Sequence, residues 1–231
     1  MTQPKTALIV GAGAGLSASL ARLFTKHGLQ VALAARDPDK LAKLAEETAA
    51  ITFACEATEP EEVAGLFDVV DATIGTPDIV VYNASARARG PVTDLDPAEV
   101  ARAIAVSGYG GFLVAQQAAR GMVARGSGAI LLTGASASVK GYPNSSAFAM
   151  GKFALRGLAQ SLARELSPKS VHVAHFVIDG GIRSATRLDP NDNPDSLLDP
   201  DAIAETYWHV ATQHRSAWTW EVEVRPWVEK F

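Results

Sequence analysis

The chain has 231 residues, 48% hydrophobic and 20% charged, with a formal net charge of -4. That balance excludes a disordered chain and leaves no basic footprint for nucleic acid. The single cysteine, Cys55, excludes an intrachain disulfide and a multi-cysteine metal site.

Short apolar runs rich in β-branched residues alternate with longer amphipathic ones. The segments 5–10, 30–35, 51–55, 78–82, 128–133, 171–177 and 220–224 read as strands. Those at about 15–27, 38–49, 59–74, 96–125, 146–167 and 200–213 read as helices. The first, fourth, fifth and sixth strands are almost continuously apolar, as in a parallel sheet covered on both faces. Helix starts such as "DPDKL", "TEPEEV", "DPAEV" and "DPDAI" carry capping or first-turn acids. Strict alternation predicts an α/β fold: one doubly wound parallel sheet of about seven strands, in a single Rossmann-type domain over 1–231. The apolar run before the first glycines is too brief for a secretory leader, and no run approaches a membrane span. A cytoplasmic protein without membrane contact is expected. The segment 183–200, "RSATRLDPNDNPDSLLDP", follows the sixth strand on the carboxyl edge, where open α/β sheets bind ligands. It reads either as a mobile flap over a site or as a plain surface connection.

"LIVGAGAGLSASLARLF" carries Gly11, Gly13 and Gly15 between the first strand and the first helix. Glycines there permit a sharp turn and let a pyrophosphate approach the backbone at a helix N-terminus. The G-x-G-x-x-G spacing fails by one residue, because its last glycine would fall on Leu16. A turn needed only for packing is the plainer reading. In "SSAFAMGKFALRGLAQ", Lys152 lies one helical turn after Phe148, on the apolar stripe of Leu155, Leu158, Ala159, Leu162 and Leu166. An ammonium on a buried face needs a bound ligand, a carbonyl, or a route to solvent.

The glycine turn, "YNAS" after the fourth strand and the Lys152 helix together resemble the short-chain dehydrogenase/reductase family, over essentially the whole chain. The family's T-G-x-x-x-G-x-G reads Val10-Gly11-Ala12-Gly13-Ala14-Gly15-Leu16-Ser17, and its N-N-A-G reads Tyr82-Asn83-Ala84-Ser85. The resemblance implies a nicotinamide dinucleotide held by Gly11, Gly13, Gly15, Leu16, Asn83, Ala84, Ser85 and Lys152. Glu56 corresponds to the family's acidic residue near the adenine. Where an NAD enzyme usually presents a carboxylate, the second strand ends on Ala35, followed by Arg36. A guanidinium suits a 2′-phosphate by charge and by its fork of donors, so NADP(H) is favoured over NAD(H); Asp37 next door argues the other way.

The family's catalytic groups are a Tyr-x-x-x-Lys pair, a serine thirteen residues before the tyrosine, and an asparagine one helix earlier. Here Lys152 is retained. Phe148 stands at the Tyr position, Ala135 at the Ser position and Ser107 at the Asn position, with Gly141, Tyr142 and Pro143 supporting the count. Loss of a positioned proton donor typically costs about 10²–10⁴-fold in rate, and loss of an oxyanion donor a similar factor. Ketone reduction by the tyrosine route is therefore expected to fail. Substitute donors are Ser136, Ser138, Tyr109, Tyr142 and Asp179, each with a plainer role in a turn or at a surface. His172 and His175 have opposite strand parity, which makes them packing or surface histidines and not a ligand pair.

The C-terminus is dense in aromatics: Trp218, Trp220, Trp227 and Phe231. A homodimer or homotetramer with this tail at a contact is expected; the alternative is a tail packed on its own domain. The expected function is NADP(H)-dependent oxidation or reduction of a small organic substrate without a tyrosine donor. The alternatives are a non-catalytic NADP-binding protein or the inactive subunit of a hetero-oligomer. A dehalogenase or lyase on the same fold fits less well, because such proteins tend to lose the glycine turn.

Overall fold

The computed structural model describes residues 3–229, so Phe231 lies outside the described residues. Seven strands form one sheet: β1 Thr6–Val10, β2 Gln30–Ala35, β3 Ile51–Ala54, β4 Ile79–Tyr82, β5 Gly128–Thr133, β6 Val171–Ile178 and β7 Glu221–Val224. Every pairing is parallel and the order is β3-β2-β1-β4-β5-β6-β7. The expected doubly wound fold is present. The order reverses between β1 and β4, which opens a crevice at their carboxyl ends.

The helices are α1 Leu16–Lys26, α2 Ala42–Thr48, α3 Pro60–Ile74, α4 Pro97–Ile104, α5 Gly110–Arg125, α6 Ser146–Leu166 and α7 Pro200–Ala211. They cover both sheet faces. One core holds Ile9, Phe24, Leu33, Phe176 and Tyr207; the other holds Leu8, Val80, Tyr82, Ile130 and Leu155. β1, β4 and β6 are buried along their whole length, which explains their largely apolar sequence. Asp96 and Asp199 cap α4 and α7 by accepting from Ala98 N and Asp201 N. Asp37 and Glu59 make no such bond.

Two stretches differ from their sequence reading. Residues 38–49 divide into a 3₁₀ turn, Pro38–Leu41, and the short α2. Residues 97–125 are helical throughout, but α4 passes into α5 through a π-helical turn at Ala105–Tyr109. The apolar pattern does not betray that turn, because residues on either side stay amphipathic. It packs on α6 at close range: a Cβ on Gly151 would stand 2.6 Å from Ser107 Cβ.

His172 and His175 are both buried, so the surface reading of them is overturned. His172 stacks on Trp218 with ring centroids 4.8 Å apart and bonds Thr219 O through Nε2 at 2.8 Å. His175 Nδ1 lies 3.0 Å from Glu221, whose carboxylate takes a two-pronged bond from Arg156 at 2.7 and 2.8 Å. These contacts anchor the edge strand β7 to α6 and β6. Trp218 thus packs on its own domain, while Trp227 is 80% exposed.

The segment 183–199 is cross-tied. Arg183 pairs with Asp189 and Asp199, Asp189 also accepts from Leu197 N at 2.8 Å, and Ser184 and Arg187 bond each other's backbone. Among the described residues no helix is long and apolar enough to cross a membrane, and no cluster of three or more His, Cys, Asp or Glu residues suits a metal ion.

Candidate active site

A cleft of about 500 Å³ opens at the carboxyl edge, lined among others by Gly11, Gly13, Arg36, Glu56, Asn83 and Ser85. Its floor is the turn after β1. Gly11 has φ +81°, and a Cβ there would stand 2.7 Å from Ala84 Cβ and closer still to the Ala84 backbone. Only glycine fits, because β1 and β4 bring the two backbones together. Gly13 is different: no protein atom lies within 4 Å of its would-be Cβ, so packing does not require it. Gly15 precedes α1 without any side-chain cap, which leaves first-turn N–H groups of that helix uncapped by the protein. Open backbone beside an uncapped helix start suits a pyrophosphate. Leu16 has its side chain in the core and offers the cleft only backbone.

Ser17, where the family pattern has glycine, accepts from Asn83 Nδ2 at 2.8 Å and donates to Gly11 O at 3.3 Å. It ties the turn after β1 to the loop after β4. At the end of β2, Arg36 is exposed and 4.0 Å from Glu56, and the neighbouring Asp37 is held by Lys40 at 2.9 Å. The Glu56 carboxylate accepts from Thr58 N and Oγ1. Cys55 lines the same cleft, but burial pushes its thiol up to about 11, so it is no nucleophile.

Lys152 is 2% exposed and donates to Thr133 O at 2.7 Å. That carbonyl occupies one of three N–H donors. Burial, and then the charge of Arg87, push its pKa down to about 7. Phe148 is buried beside it, with Nζ 5.8 Å from the ring centroid. The guanidinium of Arg87 lies 4.0 Å over the same ring. Neither Thr133 nor Arg87 was legible as a site residue. The only sequence signal for the latter was its place four residues after Asn83, in "NASARARG".

Ser107 is fully buried, and its hydroxyl bonds both backbone groups of Ala86 at 3.3 Å. It braces the loop after β4. Ala135 is extended and offers no polar side chain. Ser138 is fully buried and bonds Ala135 N at 3.1 Å, which makes it a turn residue. Tyr109 is exposed and stacks on Phe112. Asp179 is 3.3 Å from Lys140, which also contacts Tyr142. Ser136 makes no side-chain bond among the described residues.

The sequence pattern of the family described as short chain dehydrogenase matches residues 5–195. An uncharacterized oxidoreductase of Staphylococcus aureus strain N315 is 30% identical over 96% of this chain and 97% of its own. A short-chain dehydrogenase structure from Rhodopseudomonas palustris superposes with TM-score 0.85 at 32% identity, covering 97% of this chain and 100% of that one. A metagenomic short-chain oxidoreductase solved in complex with NADP gives TM-score 0.83 at 29% identity, covering 96% and 97%.

Proposed function

This chain belongs to the short-chain dehydrogenase family, and on that premise we propose that it is an NADP(H)-dependent oxidoreductase of a small organic substrate, working without a tyrosine donor. The observation that carries the reading is the cleft itself: open backbone at Gly13, an uncapped α1, and a buried Lys152 with two N–H donors beyond the one given to Thr133. The turn Gly11–Gly15 would hold the pyrophosphate and Lys152 the nicotinamide ribose. Ala84 and Ser85 would border the nicotinamide half, and Glu56 the adenine. Arg36 supports NADP(H), because Asp37, the carboxylate that would compete for a ribose hydroxyl, is held by Lys40. Bound there, the dinucleotide supplies or accepts a hydride.

For the proton, Lys152 itself is the group suited to neutral pH. Its Nζ–H gives up a proton near pH 7, and the amine that remains keeps its place on Thr133 O. Ser136, Tyr142 and Asp179 are the remaining candidates, with Asp179 paired to Lys140. We place the protein in the cytoplasm, as a homodimer or homotetramer.

Titrating NADPH and NADH against protein fluorescence tests the cofactor. NADPH should bind at least tenfold more tightly, and Arg36→Ala should remove most of that margin. Tighter binding of NADH, or of neither, overturns the reading. One observation favours a non-catalytic NADP-binding subunit instead: the Ser107 hydroxyl is spent on Ala86 while Phe148 and Ala135 are mute. Tight NADPH binding with no oxidation on carbonyl, imine and enone panels would select it.

A further inference from the structure

Arg87 sits on Phe148 within the field of two further guanidiniums, Arg89 and Arg187, and without a counter-ion. Arg87 lies over the ring at 4.0 Å. The positive charges of Arg89 and Arg187 reach Arg87 and, after burial, depress its pKa further. Arg187 comes from the segment after β6, and its Nη1 lies 3.2 Å from where a Cβ on Gly181 would stand. Among the described residues none of the three makes an ion pair, although acids lie close by in sequence. Asp189 and Asp199 are both taken by Arg183, and Asp179 is taken by Lys140. The chain thus satisfies Arg183 twice and leaves Arg187 bare. All three arginines are exposed and so open to a ligand.

Like charges held together without a partner repel, and a fork of N–H donors recognises a carboxylate or a phosphate by two parallel bonds. The nearest aromatic, Phe148, holds Arg87 in place by its face without neutralising it. Nor does the cofactor's own phosphate answer the need, because the pyrophosphate turn and Arg36 lie on the other side of Ala84, along β1 and β2.

We propose that the substrate carries an anionic group, carboxylate or phosphate, clamped by Arg87 from the loop after β4 and by Arg187 from the segment after β6, with Arg89 adding charge. The proposal rests on the reading of this cleft as a dehydrogenase site and specifies what that site accepts. It also gives the 183–199 segment a role: Arg183 pins the segment that carries Arg187.

The test has two arms. In the first, benzoate, malonate and inorganic phosphate are titrated calorimetrically at low salt, with benzamide and malonamide as neutral controls, with and without NADP. The anions should bind and the amides should not, and Arg87→Met or Arg187→Met should weaken binding at least tenfold. Arg87→Lys should recover part of the loss, and Arg120→Met on α5 should change nothing. Carboxylate binding without phosphate binding assigns a carboxylic acid, and the converse a phosphate ester. In the second arm, NADPH oxidation is followed with 2-oxo acids and their methyl esters, the acids being favoured at least tenfold in kcat/KM. Amides binding as well as anions, or an Arg87→Met/Arg187→Met pair that binds anions unchanged, overturns the proposal. Equal turnover of acid and ester overturns it while leaving the oxidoreductase standing; arginine-dependent anion binding without NADPH binding does the reverse.

Discussion

The amide of Asn83 donates to the hydroxyl of Ser17 across 2.8 Å, joining the loop after β4 to the first turn of α1. Ser17 is 1% exposed, so no water stands ready to replace it. Ser17→Ala leaves the Asn83 amide short of an acceptor and should cost about 1–3 kcal/mol of stability. It should also raise the NADPH dissociation constant severalfold, since both loops border the cleft. Chemical denaturation and fluorescence titration measure the two effects, and an unchanged dissociation constant would confine Ser17 to the fold.

Lys152 should make stability depend on pH. Its folded pKa is about 7 against an ordinary 10.5, so between those values the unfolded chain binds one more proton than the folded one. Wild-type stability should therefore be lowest below pH 7 and rise above it, by at most about 1.4 kcal/mol per pH unit. In Lys152→Met that rise should vanish, as urea midpoints at pH 6, 8 and 9 would report. Parallel curves for the two proteins would mean that the amine keeps its proton inside the fold.

Phe148→Tyr alone should restore less than tenfold of ketone reductase activity. The new phenol would find Lys152 beside it but no hydroxyl at Ala135 to hold the substrate oxygen. Adding Ala135→Ser should raise kcat/KM by about 10²–10³-fold over the single change. A large gain from the tyrosine alone, measured with NADPH on small ketones, would show that another group already binds that oxygen.

The oligomer should form on helices and not on the tryptophan tail. Tyr109 and Phe112 stack on each other and are 47% and 41% exposed, and Met150 and Phe153 on α6 are 47% and 45% exposed. Rings and a thioether left this bare are characteristic of contact surfaces. Phe112→Glu with Phe153→Glu should lower the mass in sedimentation while preserving NADPH binding. Trp227→Ala should leave it unchanged.

The alternation of strands and helices, the glycine turn and the inward lysine were legible because each rests on local pattern: apolar runs, glycine spacing and helical periodicity. The Thr133 carbonyl was not, since a backbone acceptor has no sequence signature. Ser107 was singled out from the sequence, but its service to Ala86 depends on a π-helical turn that amphipathic spacing does not reveal. Arg87 and Arg187 stand a hundred residues apart, and only the fold brings the charge of one to bear on the other. The two histidines illustrate the same limit, because parity assigned them to opposite faces while burial on each face was decided by Trp218 and Glu221.

A π-helical turn holds one residue more than an α-helical one, so everything after Tyr109 is advanced by about 100° around the axis. The advance brings Gly110 against Ala57 O, where a Cβ would stand at 2.8 Å, and frees the Val106 carbonyl to accept the Tyr82 hydroxyl. Deleting a single codon between 105 and 109 would rewind that stretch as ordinary helix and leave Gly110 and Phe112 on their present faces, so the loss would fall on the carbonyl that Tyr82 uses and on the brace between Ser107 and Ala86. A one-residue insertion after Tyr109 would instead act like a crankshaft slipped by a tooth, carrying Gly110 out of its contact and Phe112 to another face.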